Sequence, residues 1–169
     1  SKEAIDNFVE RFDKCHDGAY PNQEENPHIA DEFGADAELF IDKVGSKWIQ
    51  IWDEGYYRSS DNRCEIYLDT AWYPPSDMIL EIYRQMAEID DEIKVSGKYW
   101  DEGYQPIGVF EVYYGQIIEE QDHDLDESEW DEEIEAEGEQ EYDRNFWEEV
   151  VDPAFTVLQE RLDKVMREI

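Results

Sequence analysis

Apolar residues recur at helical spacing over residues 3–15, where Ile5, Phe8, Val9 and Phe12 predict an amphipathic helix. Gly18 supplies its stop, and the two prolines within 19–34 mark a loop. From Ala37 the period shortens. Leu39 and Ile41 alternate with Glu38 and Asp42, Val44 to Lys47 reads as a turn, and Trp48 to Trp52 reads as a second strand. This hairpin pattern ends at Asp53-Glu54-Gly55. Residues 63–70 predict a third strand with Cys64, Ile66 and Leu68 on one face. Pro74-Pro75 closes it and opens a helix over 75–89, because proline fits the first helical turn. Met78, Ile79, Ile82, Met86 and Ile89 form the buried face of that helix.

Residues 92–100 and 107–118 read as a fourth and a fifth strand. The pentapeptide Trp-Asp-Glu-Gly-Tyr stands at both 52–56 and 100–104, each time after a strand, and its glycine suits a turn position with positive φ. Residues 142–151 have helical spacing, and Asp152-Pro153 restarts the chain with an N-cap followed by proline at the first helical position. Val157, Leu158, Leu162, Val165, Met166 and Ile169 then form a core-facing stripe. The pattern as a whole predicts an α+β fold, with an antiparallel sheet of about five strands, flanking helices and an acidic helical extension. It divides into an N-terminal helix and loop (1–33), a central α+β domain (34–118), and an acidic segment with a C-terminal helix on the same core (119–169).

Charge changes this picture. The 169 residues include 47 Asp and Glu against 14 Lys and Arg, a net charge of −33. Residues 119–143 alone carry 15 acids and no base, nearly half the excess. Aromatic residues make up 14% of the chain, which argues for a folded protein. Within the acidic segment, Ser128 and Asp131 resemble a capping box, Trp130 and Ile134 lie one helical turn apart, and Gly138 supplies a stop, so a short helix is expected there. Such acidity opposes binding to a nucleic-acid backbone or to an anionic membrane, both of which call for cationic patches. It favours a basic partner. No apolar run approaches bilayer length, no leader is expected at the N-terminus, and two cysteines suit a reducing cytoplasm better than a disulfide framework.

Thr70-Ala71-Trp72-Tyr73-Pro74-Pro75 follows a strand and opens a helix; Tyr99-Trp100-Asp101-Glu102-Gly103 and Gly108 come later, and Gly45-Ser46-Lys47-Trp48 lies upstream. Over about residues 36–118 this set resembles the ferredoxin-like domain of YubB-like proteins of plasmids and phages. The resemblance implies the ferredoxin-like topology and a mobile-element origin; it brings no catalytic motif and does not reach the acidic segment.

The chemical motifs are weak. Asp122, Asp124, Asp126 and Glu133 copy four positions of a calcium-binding EF-hand loop, but Glu127 stands where that loop needs glycine. His16, His28 and His123 show no zinc-ligand spacing with the cysteines. Cys15-His16 lacks the spatial arrangement of a thiol nucleophile with its base, and there is no phosphate-binding glycine loop or nucleophile elbow. Tyr56-Tyr57-Arg58 and Tyr113-Tyr114 could stack on bases, but in acidic surroundings they fit a core better. Neither a cofactor nor an enzymatic activity is expected.

The charge itself therefore carries the functional expectation. A folded display of carboxylates imitates duplex DNA, which carries one charge per ~1.7 Å of axis. Such a protein would occupy the cationic DNA site of a bacterial defence protein: a CRISPR effector, a restriction enzyme or a nuclease. The contacts fall on Glu119, Glu120, Asp122, Asp124, Asp126, Glu127, Glu129, Asp131, Glu132, Glu133, Glu135, Glu137, Glu139, Glu141 and Asp143, with Trp130 as an apolar anchor. A homodimer would lengthen that surface. Three alternatives stay open. One is a regulatory protein that binds a different basic protein. Another is adaptation to high salt, which the 15 Ile, 11 Tyr and only 9 Ala do not favour. The third is a nucleotide-binding protein or an enzyme, either of which would need a positive pocket for phosphate, with Arg58, Arg63, Lys94 and Lys98 as the local concentration of bases to build it.

Overall fold

The computed structural model describes residues 1–16, 25–71, 73–101, 104, 106–123, 125 and 144–169. Two compact units form. The first comprises Ser1–Val95 with Tyr114–Gln116, and the second comprises Ser96–Tyr113 with Ile117–Ile169. The divisions drawn from the sequence at 33/34 and 118/119 thus differ from the division found in the contacts.

In the first unit, helix α1 (Lys2–His16) buries Ile5, Phe8 and Phe12 of its predicted stripe, with Val9 partly buried, and adds Cys15 one turn on. Its C-terminal carbonyl at Cys15 accepts a hydrogen bond from the Asn26 amide Nδ2 at 3.1 Å. The Oδ1 of the same buried Asn26 caps helix α2 (Pro27–Phe33) by accepting from the Ile29 N–H at 3.1 Å. One side chain thereby satisfies the end of one helix and the start of the next. Phe8, Phe12 and Phe33 pack with ring centroids 5.4–6.4 Å apart. Helix α3 (Phe40–Val44), hairpin strands β1 (Ile49–Ser60) and β2 (Arg63–Thr70), and helix α4 (Ser76–Ala87) complete the unit. Met78, Ile82 and Met86 of α4 join the phenylalanines, Val44 and Ile49 in one core, against which Cys64, Ile66 and Leu68 pack.

Two expectations fail in this unit. The alternation at 38–42 does not form a strand; Phe40–Val44 is a short helix, and Leu39 and Ile41 are exposed. Gly45 decides this, because its left-handed backbone (φ 81°) lets its N–H close the last turn on the Ile41 carbonyl. Nor does β1 stop at Asp53-Glu54-Gly55. Ile51 pairs with Leu68 and Tyr56 with Ile66, so four residues of β1 face one of β2. This is a wide bulge turned by Gly55 at φ 62°, after which the strand resumes. The true hairpin partners are β1 and β2.

In the second unit, strands β3 (Ser96–Trp100), β4 (Ile107–Tyr113) and β5 (Gln116–Asp122) form a sheet in that order. The five strands therefore lie in a pair and a triplet. The single strand expected at 107–118 is two strands, joined by Tyr114 and Gly115 at φ 47° and 75°, a tight hairpin turn. Ile107 and Val109 pack under Phe155, Leu158 and Leu162 of the C-terminal helix α5 (Asp152–Glu168).

The helix does not restart at Asp152. Residues 144–146 are helical, Trp147–Val151 form a π-helical turn, and Asp152 continues in helical geometry, its N–H bonding the Trp147 carbonyl. Pro153 explains the wider turn: it has no N–H to bond the carbonyl four residues back, and its ring needs room there. Leu158 and Leu162 are buried and Met166 packs on the core, as the stripe predicted, but Val157 is 46% and Ile169 60% exposed. Phe155 takes the core position instead.

Strands β3 and β4 interlock through two reciprocal pairs. Phe110 lies across Gly97 and Tyr99 across Gly108; a Cβ on Gly97 would meet the Phe110 ring at 2.7 Å, and one on Gly108 the Tyr99 ring at 2.3 Å. We expect Gly108→Ala to lower stability by roughly 1–3 kcal/mol, through overpacking against that ring. In a Tyr99→Ala background the same change should cost far less, and a double-mutant cycle by denaturant unfolding measures the difference.

Candidate interaction surface

The acidic residues that the structure describes at the expected site begin on β5. Strand alternation sorts them onto two faces. Ile118 packs towards the core of the second unit, which puts Glu120 and Asp122 on that side of the pleat. Glu119 takes the other side with Gln121 and His123. There the Tyr99 hydroxyl donates to Glu119 Oε2 at 3.2 Å and accepts from Gln121 Nε2, while Gln121 Oε1 pairs with His123 Nε2 at 3.2 Å. Tyr99 belongs to β3 and reaches β5 across the gap left by Gly108 on the intervening strand. This short polar chain fixes the strand from which the acidic segment departs.

Asp124, Asp126, Glu127, Glu129, Trp130, Asp131, Glu132, Glu133, Glu135, Glu137, Glu139, Glu141 and Asp143 lie outside the described residues. So do the helix expected around 128–138 and most of the EF-hand-like spacing. Among the described residues, no group of three or more His, Cys, Asp or Glu is placed to hold a metal ion.

The arginines of the first unit are engaged close to home. Arg11 Nε pairs with Glu32 at 2.7 Å, and its guanidinium lies 4.9 Å from the Phe33 ring centre. Arg58 pairs with Asp6 at 2.6 Å and donates to the Ser60 and Asp61 carbonyls. Arg63 pairs with Glu65 at 3.0 Å, and Arg84 bridges Glu81 and Glu88. The carboxyls respond. Hydrogen bonds from Lys2 and then Arg58 hold Asp6 below the ordinary aspartate range, and the Arg84 hydrogen bond does the same for Glu81. Arg58, Arg63, Lys94 and Lys98 are the local concentration of bases that the sequence offers a phosphate ligand. Arg58 and Arg63 have carboxylate partners, and Lys98 lies against aromatic rings of the second unit.

The motifs behind the family resemblance serve the fold. Ser46 Oγ lies 3.1 Å from the Trp48 carbonyl and 3.2 Å from the Ala71 carbonyl, its proton shared between them, and so joins Gly45-Ser46-Lys47-Trp48 to the Thr-Ala-Trp-Tyr-Pro-Pro segment. Thr70 Oγ1 donates to the Tyr73 carbonyl at 2.8 Å. A Cβ on Gly45 would press on Ser76 and Asp77, the first residues of α4. Tyr99 and Gly108 form the cross-strand pair already described.

One cluster escapes sequence reading. Trp100, Trp147 and Phe155 meet with ring centroids 5.0–6.3 Å apart, and Lys98 Nζ lies 5.1 Å from the Phe155 and 5.7 Å from the Trp147 ring centre. A helix restarting at Pro153 hides the relation of Trp147 to Phe155. Eight residues at 100° each would leave them about 80° apart, whereas one residue absorbed by the π turn brings them within about 20°. Proline six residues after a tryptophan in a helical pattern is the only signal that could have disclosed it.

These observations define an α+β protein with a ferredoxin-like domain. The family model described as "ferredoxin-like domain in Api92-like protein" matches residues 51–143, more than half of the chain, and the chain belongs to that family. Comparison with curated proteins and with solved structures finds no match. No helix among the described residues is long and apolar enough to cross a membrane.

Both cysteines are free thiols. Burial, the main cause, pushes Cys15 up to about 12 and Cys64 up to about 11. Since the thiolate is the reactive form, we expect alkylation by iodoacetamide near pH 8 to be roughly a hundredfold slower at Cys64, and roughly a thousandfold slower at Cys15, in the folded protein than in its denatured form. A mass-spectrometric time course checks this, and rapid modification of either cysteine would contradict it.

Proposed function

We propose that this chain is a mobile-element protein that imitates DNA: it places its carboxylates in the cationic DNA site of a bacterial defence protein in the host cytoplasm and so inhibits it. A CRISPR effector, a restriction enzyme and a nuclease all present such a site. The observation that carries the reading is the excess of acid, −33 in all with 15 acids and no base in 119–143, on a chain whose described first-unit arginines are already held by its own carboxylates and carbonyls. What remains for a partner is negative. The resemblance to YubB-like plasmid and phage proteins supports the mobile-element origin, since such elements meet host defences.

The mechanism is occupancy. Carboxylates replace phosphates on the partner's lysines and arginines, and the long-range field accelerates encounter. The inhibitor needs no chemistry of its own, and its affinity should fall steeply with salt. The test is capture of partners from a bacterial lysate on the immobilised protein. We expect one nucleic-acid enzyme to be recovered, to be displaced by duplex DNA, and to be lost when the 119–143 acids are changed to Asn and Gln. Recovery of a basic protein that duplex DNA does not displace would support the alternative of a regulatory partner. A salt-labile mixture released equally by any polyanion would overturn both.

A further inference from the structure

The aromatic corner of the second unit already holds a cation. Lys98, exposed on β3, lays its ammonium within 6 Å of two ring centres, Trp147 and Phe155, the range of an energetic cation–π contact. Trp100, 44% exposed, stands edge-on to both rings. Glu148 and Glu149, both exposed, follow Trp147 on the π turn. Aromatic faces that already take a cation, on a chain of net charge −33, match an incoming basic side chain in both shape and charge. Arginine suits them better than lysine: its guanidinium is planar, stacks on indole, and is more weakly hydrated than an ammonium.

We infer that this corner receives an arginine of the basic partner, with Lys98 as the intramolecular cation that the arginine displaces. The inference rests on the proposed partner chemistry and adds to it a contact outside the 119–143 segment. It assigns the selectivity for arginine to flat aromatic surface rather than to net charge.

The probes are blocked tetra-arginine and tetra-lysine peptides, titrated calorimetrically into the full chain. Lys98→Gln empties the corner, and Lys94→Gln removes the same charge elsewhere. We expect Lys98→Gln to bind tetra-arginine about threefold more tightly than Lys94→Gln does. We also expect Trp100→Ala to bind it about threefold more weakly than Trp100→Phe and to lose the preference over tetra-lysine. Equal affinities for the two glutamine variants, or for the two Trp100 variants, would overturn the inference while leaving DNA mimicry standing. If Trp100→Ala does not fold, as judged by circular dichroism, the glutamine pair decides. An arginine preference in a protein that captures no DNA-displaceable partner would leave the corner in place and remove the mimicry.

Discussion

Self-repulsion is the constraint that the rest of this molecule must meet. A net charge of −33 on 169 residues opposes compaction, and at ordinary ionic strength charges within about 10 Å still feel one another. Burial of apolar surface has to offset that repulsion, and each unit does so with large rings. Phe8, Phe12 and Phe33 anchor the first; Phe146, Phe155 and Trp147, with aliphatic residues between them, anchor the second. The cations also serve cohesion. Arg11 reaches the Glu32 carboxylate and carbonyl, Arg84 spans two glutamates, and Lys98 lies on aromatic faces. Arg11 and Lys98 join elements of their own unit and Arg84 braces a single helix, each spent within the fold.

Where a local signal and burial agree, the sequence is a good guide to this fold. The inward stripe of α1, the strand at 63–70 and the α4 face of Met78, Ile79, Ile82 and Met86 are found where their periodicity puts them, because each pattern runs for several residues against one core; Ile89, expected on that same face, lies past the end of the helix and is exposed. The failures share a cause. Four alternating residues at 38–42 could not compete with a left-handed glycine closing a helical turn. Asp53-Glu54-Gly55 reads as a turn, and Gly55 does adopt positive φ, yet pairing with β2 resumes beyond it as a bulge. Asp152-Pro153 reads as a new helix, yet a π turn carries the old one through. In each case a glycine or proline marks an irregularity correctly, and long-range pairing or packing decides what kind.

The candidate surface was legible as charge and illegible as geometry. A run of acids shows in composition, but strand alternation separates Glu119 from Glu120 and Asp122, a consequence of the β4–β5 hairpin that the sequence pattern merged into one strand. The aromatic corner depends on a change of helical phase that no fixed period contains. The family motifs, by contrast, are explained by their structural work: Ser46 joins two segments, and Gly108 makes way for Tyr99.

Acidity on this scale works against the fold, which holds together in spite of it. The ionic-strength dependence of unfolding tests this claim most directly. Denaturant or thermal unfolding of the full chain should show stability rising with sodium chloride, most steeply from about 10 mM to about 100 mM, where screening of exposed charges changes fastest. Stability that falls as salt is added would mean that attractive pairs dominate, and would contradict the claim.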